Sequence, residues 1–451
     1  MTKTKTILQQ LRDFESRNIT FLEADGSWPI VWERARDVHV WDAEGRKYLD
    51  LTAAFGVAAA GHANPHVVRA GQQQMAKLLH AMGDVHPHAL KAQLARELSR
   101  ITFERWAPKP KVQGQRSKVR SGKTIFCNSG FEAVEAALKT AMLATGKRGV
   151  IAFAGGYHGL GYGTLNATHR EHFRGPFRSQ LRAFGHFLPF PGAADVKGRD
   201  KSGVSQFRRL TSAAAKLLRR EKIGAILVEP IQARGGINIP PPEFLRALRK
   251  LCDAHGALLI LDEIYTGFGR TGKWFACEHS GAVPDVICLG KALTGGFPLS
   301  ACVGRADVMD TAWPASTGEA IHTSTFLGHP VGCAMALAQI AEIRRLKLVE
   351  RSARLGERLL ELLSILHPPS SILAVARGTG LMAGLELRKP DGSPATEEAL
   401  SVIKAMLQRG FVLLPEGEHG NVISFTPPLT ISEAQLKRAV RALADELRRR
   451  V

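Results

Sequence analysis

Apolar and polar positions along the chain follow two alternating periods. Short aliphatic runs at 123–127, 149–153, 225–229, 258–262, 286–289 and 300–304 read as strands buried on both faces. Between them lie stretches of helical period. From about residue 65 to 330 this alternation predicts an α/β fold built on a mainly parallel sheet. Ahead of it, Ile7, Leu8, Leu11 and Phe14 mark an N-terminal helix, and residues 38–51 read as a hairpin turning at Asp42-x-x-Gly45. An amphipathic helix begins near His66. Behind it come helices at 336–346 and 349–366, a strand at 382–387, a helix at 397–408, a strand at 412–414 and a helix at 432–450 started by Ser432 and Glu433. The expected division is an N-terminal segment (1–64), a large domain (65–334) and a smaller C-terminal α/β domain (335–451). No internal repeat is visible.

Composition narrows the class. The 451 residues are 45% hydrophobic, with 44 Gly and 23 Pro, enough for one large core and smaller parts. No apolar run approaches the ~20 residues that span a bilayer, and residues 1–11 lack the apolar stretch of a signal peptide. The six cysteines show no CxxC or metal spacing and read as reduced core thiols of a cytoplasmic protein. A net charge of +20 admits a nucleic-acid or anionic-surface partner. The excess is dispersed along helices, with no aromatic interleaving, so a basic solvated surface is the preferred reading and nucleic acid is not expected. One cluster is denser: Arg105, Lys109, Lys111, Arg116, Lys118, Arg120 and Lys123 lie in a Pro- and Gly-containing segment that reads as a solvated loop.

The chemistry concentrates between 258 and 301. The aliphatic run from Leu258 closes on Asp262 and Glu263, and the run from Val286 closes on Gly290 and delivers Lys291. Ligands bind at the carboxyl ends of strands in such sheets. An aspartate there can hold a pyridinium proton, and a lysine can form an imine. Taken singly, Asp-Glu is a common helix cap and a lysine before Gly-Gly is unremarkable. Together with Gly267-Phe-Gly-Arg-Thr-Gly272 between them, they resemble the class III aminotransferases, the ornithine/4-aminobutyrate group of fold-type I pyridoxal-phosphate enzymes.

The resemblance implies more. It implies a seven-stranded large-domain sheet and pyridoxal 5'-phosphate carried as an aldimine on Lys291, with Asp262 at the ring nitrogen. Ser129, Gly130 and Phe131 fall in its Asn-Ser-Gly phosphate turn, where a helix N-terminus would meet the phosphate. The family usually has a small residue at 131, so the Phe131 ring must crowd something. Tyr157 and His158 match a Tyr-His-Gly element, with Tyr157 on one ring face and Ile264 on the other. Glu229 would orient the ring, and Arg270 looks structural. Thr325 matches a threonine that serves the other subunit's phosphate, implying a homodimer with shared sites.

Three departures bear on the substrate. Ser424 stands where the family carries a carboxylate-clamping arginine, and a hydroxyl cannot replace that fork. Ala233 and Arg234 stand where some members place a glutamate that masks that arginine. Tyr265 replaces a frequent glutamine. Phe55, Arg234, Tyr265 and Ser424 are therefore the candidate substrate residues, and Arg234 offers positive charge from the opposite wall. The expected reaction moves an amino group from an amine or amino acid to a keto acid. A racemase, epimerase or lyase on the same scaffold is the alternative, because a fold does not fix a reaction. A surface-binding protein on a dead scaffold is disfavoured by the intact Asp262 and Lys291.

Overall fold

The computed structural model describes residues 2–23, 26–107, 121–192, 205–366 and 368–450; most of the basic segment at 105–123 lies outside them. Fifteen strands form three sheets among the described residues. The central sheet contains β4 (Gly122–Cys127), β5 (Gly149–Phe153), β6 (Gly185–Leu188), β7 (Ile223–Val228), β8 (Leu258–Asp262), β9 (Val286–Leu289) and β10 (Ser300–Arg305). Its order is β4-β10-β9-β8-β7-β5-β6, and only β10 runs against its neighbours. The interior strands β5, β7, β8 and β9 are buried at every position, which is why each reads as an unbroken aliphatic run. The edge strand β6 carries no such signal. It is only partly covered, and its Gly185 passes so close to Asn166 that a Cβ would lie 1.8 Å from the Asn166 carbonyl oxygen.

Small residues let one helix lie close on this sheet. Gly130–Thr145 buries Ala133, Val134, Ala136, Ala137 and Ala141 against strand residues such as Val150, Ala225 and Ile260. That contact fixes the helix start beside the ends of the strands.

The flanking segments are joined by backbone pairing. The strands β1 (Trp32–Arg36), β2 (His39–Asp42) and β3 (Lys47–Asp50) form the expected hairpin region, with Gly45 at φ 81° closing the turn onto Asp42. The strand expected at 412–414 splits in two. β13 (Phe411–Val412) pairs in parallel with β3, while β14 (Leu414–Glu416) turns away into a third sheet, ordered β11-β12-β15-β14. In that sheet β11 is Leu373–Gly378, β12 is Ala383–Arg388 and β15 is Val422–Phe425. The N-terminal helix forms as Lys3–Phe14, but of its apolar positions only Leu8 is buried.

Candidate active site

Five strand ends open on one cavity of about 580 Å³. Ser129 and Gly130 follow β4, Tyr157 and His158 follow β5, and Glu229 follows β7. Asp262 ends β8, and Lys291 follows β9. All of them line the cavity, with Phe55, Phe131, Arg234, Ile264 and Tyr265.

Asp262 is buried, and its Oδ2 lies 2.8 Å from His158 Nδ1. Its Oδ1 accepts the Ile264 N–H. The neighbouring Glu263 points elsewhere: it accepts the N–H groups of Ala276 and Cys277 and the Thr266 hydroxyl, so it braces a loop. Glu229 accepts the N–H groups of Tyr157 and Ala233. Burial pushes its carboxyl up to about 7; His158 opposes that shift.

Lys291 stands at φ 42°, a left-handed conformation that costs a non-glycine residue roughly 1–3 kcal/mol and clusters at functional sites. Its Nζ lies 4.8 Å from the centre of the Tyr265 ring. Burial lowers its pKa, opposed by Asp262 and Glu229. Tyr265 is held by a hydroxyl contact to Thr426, which in turn donates to Thr52 O. Arg270 is fully buried away from the cavity and donates to the carbonyls of Leu381 and Pro427, the structural role expected of it.

The cavity fits a phosphorylated pyridine. Ser129 Oγ is buried at the start of Gly130–Thr145, where it forms a capping box with Glu132, and its hydroxyl donates to no group, a donor left open beside the positive end of a helix. Ser300 fixes that turn by donating to Ser129 O at 2.6 Å. A carboxylate for a ring nitrogen, an amine of lowered pKa and an open hydroxyl donor for an anion complete the set. The crowding expected of Phe131 falls on glycines: a Cβ on Gly159 would lie 2.2 Å from Phe131 Cβ, and one on Gly161 would lie 2.8 Å from its ring.

Two expected residues stand elsewhere. Ser424 is buried in β15, donates to Leu414 O and does not line the cavity. Thr325 is exposed and also outside it. Arg234 does line the wall, with its guanidinium carbon 5.5 Å from the Tyr157 ring centre and 5.9 Å from that of Phe55. Sequence reasoning missed Glu416, buried at the end of β14 with Oε2 3.7 Å from Arg234 Nε. It also missed Leu160 and Val57, which line the apolar side.

The profile of the aminotransferase class-III family matches residues 22–447. The chain is 36% identical over 421 residues to 5-aminovalerate aminotransferase of Pseudomonas aeruginosa, covering 92% of this chain and 93% of that one. It is also 36% identical to acetylornithine aminotransferase of Methanopyrus kandleri, covering 93% and 95%. The fold superposes on the omega transaminase of Pseudomonas jessenii, solved in complex with PMP, with a TM-score of 0.85, 26% identity and 97% of each chain covered.

Proposed function

Because the chain belongs to the aminotransferase class-III family, it is a pyridoxal-phosphate-dependent aminotransferase, and we propose that it takes its amino group from a primary amine or ω-amino acid whose reacting carbon bears no carboxylate. The acceptor is a keto acid. The relatives named above are aminotransferases, so the racemase or lyase alternative is set aside.

The observation that carries this reading is the meeting of Lys291, Asp262 and the open Ser129 hydroxyl in one cavity, with Arg234 its sole guanidinium among the described residues. Pyridoxal phosphate, when bound there, supplies an aldehyde and an electron-withdrawing ring. Ser129 and the Gly130 helix start would hold its phosphate. Asp262, oriented by His158, would keep the ring nitrogen protonated, and Glu229 would orient the opposite edge. Ile264 and Tyr157 would pack the two faces. Lys291 Nζ would take the proton from the donor carbon and deliver it to the carbon that had carried the aldehyde; a lowered pKa suits a base at neutral pH. Phe55, Val57, Phe131 and Leu160 make one wall apolar.

With Ser424 turned into the sheet, Arg234 is the group left to hold a carboxylate. The homodimer reading rests on the surface around Thr325. Ile321, Phe326, Leu79, Met82 and Val85 are exposed apolar residues, and contacts between His80 and Phe326 and between Thr323 and Asp84 join their segments into one face. Apolar patches of this kind mark interaction sites. Among the described residues no helix is long and apolar enough to cross a membrane. The six free, buried cysteines suit the cytoplasm.

Borohydride reduction of the holoenzyme followed by peptide mapping tests the lysine; cofactor fixed to any residue but Lys291 sinks the assignment. For the substrate, formation of the carbonyl product, aldehyde or ketone, is followed with ω-amino acids, uncharged amines and α-amino acids as donors. Turnover is expected with the first two groups. Activity confined to α-amino acids overturns the donor class.

A further inference from the structure

Arg234 and Glu416 are paired, but poorly. Glu416 is 4% exposed, and its one ion-pair contact among the described residues is the 3.7 Å approach to Arg234, longer than a hydrogen bond. Arg234 Nε is buried and has no hydrogen-bond partner at all. The backbones that carry the two side chains are held in register. Gly417 N–H donates to Arg234 O at 3.1 Å, and a Cβ on Gly236, at φ 113°, would lie 3.3 Å from Gly417 Cα. The backbone therefore cannot close the gap. An incoming carboxylate can offer the guanidinium the two-pronged hydrogen bonding that Glu416 does not.

Resting on the proposed role of Arg234, we propose that Glu416 is an internal counter-ion that competes with the substrate carboxylate for Arg234. One guanidinium then serves both half-reactions. Facing an uncharged amine, Arg234 stays neutralised by Glu416 and the cavity carries no unpaired charge. Facing a keto acid, Arg234 turns to the substrate, and Glu416 loses its partner in a buried site.

A buried carboxylate without a cation takes up a proton. Burial already pushes the Glu416 carboxyl up to about 7, against the pull of Arg234. The other charged groups facing it are Lys291 and Arg170, which favour its ionised form, and Glu229, which disfavours it. Tyr265 also feels its charge. The sign follows. Below about 7 Glu416 is protonated and does not compete, so carboxylates bind more tightly. Above it, each carboxylate bound draws in a proton.

The probe is glutarate, a dicarboxylate with no carbonyl to react, titrated calorimetrically into the holoenzyme in two buffers of different ionisation heat. The wild type should take up a proton on binding at mildly alkaline pH, a readout that needs no substitution. Glu416→Gln should bind glutarate about tenfold more tightly there, with no proton uptake and a flat pH profile, and should show a raised KM for uncharged amines. If Arg234→Ala abolishes glutarate binding but Glu416→Gln weakens glutarate and amines alike, Glu416 only props Arg234 and the proposal falls. Absence of proton uptake in the wild type also overturns it. If Arg234→Ala leaves glutarate binding intact, the underlying assignment of Arg234 fails instead.

Discussion

Asp262 Oδ2 and His158 Nδ1 lie 2.8 Å apart, both side chains buried where they line the cavity. The His158 backbone N–H donates to Thr168 Oγ1, and the ring itself is buried. The carboxylate therefore has one oxygen on a buried partner, which helps to set its direction before any ligand arrives. Asp262→Asn keeps the shape and loses the charge. Turnover should fall roughly 10²–10³-fold, the scale for removing one preorganised electrostatic contact. The circular dichroism spectrum should not change. His158→Asn, which acts only through Asp262, should cost less, about 10–100-fold. Equal losses in the two variants would mean that His158 itself meets the reacting atoms.

Thr325 points away from its own cavity, in an exposed segment beside Phe326. If a second copy covers that face, Thr325 reaches the neighbouring site. The protein should then run as a dimer on sizing columns at low concentration. Thr325→Ala should weaken cofactor retention by about 1.5–3 kcal/mol, the worth of a hydrogen bond to a charged group. A fully active monomer, or unchanged retention measured by dialysis, rejects the shared site.

Much of this site was legible because it hangs on strand ends. Asp262 and Lys291 close aliphatic runs, and such runs are conspicuous when a parallel strand is buried on both faces. Glu416 had no such marker. It sits in a Leu-Pro-Glu-Gly turn whose strand is three residues long, and it meets Arg234 through a contact distant in sequence, where Gly417 N–H donates to Arg234 O. His158 follows a glycine-rich turn with no local sign of burial; the partner that buries it arrives on another strand. Ser424 is expected at the cavity from the sequence, but its side chain serves a carbonyl inside the sheet. Which face of a short strand a residue uses depends on register, and four residues of β15 are too few to read it from alternation.

Glu229 makes stability depend on pH in an unusual direction. Its carboxyl titrates at about 7 in the folded chain against 4.5 as a free side chain. Between those values the native state holds a proton that the unfolded state has released, so stability falls as pH rises through that window. Glu229→Gln cannot titrate. The Gln variant's unfolding free energy, compared with the wild type without cofactor, should gain steadily from about pH 5 to about pH 8, by up to about 3 kcal/mol. A difference that stays constant with pH would show that Glu229 ionises normally.

Lys291 depends on a glycine far from it in sequence. Gly56 sits at φ 79°, and a Cβ there would lie 2.9 Å from Tyr265 Cε1. That ring cannot yield easily, because its hydroxyl is tied to Thr426 and Lys291 Nζ lies 4.8 Å from its centre. Gly56→Ala therefore adds two strains, a left-handed alanine and a displaced ring. Strain of this kind costs about 1–3 kcal/mol. A displaced ring alters the surroundings of the lysine, so turnover should fall more than cofactor affinity does. Tyr265→Phe separates the two effects. It keeps the ring under Lys291 and loses only the contact to Thr426, leaving the ring freer to shift. In a Gly56→Ala background it should recover part of the lost turnover. No recovery, with a normal thermal midpoint in both variants, would show that the ring's position beneath Lys291 does not matter to the chemistry.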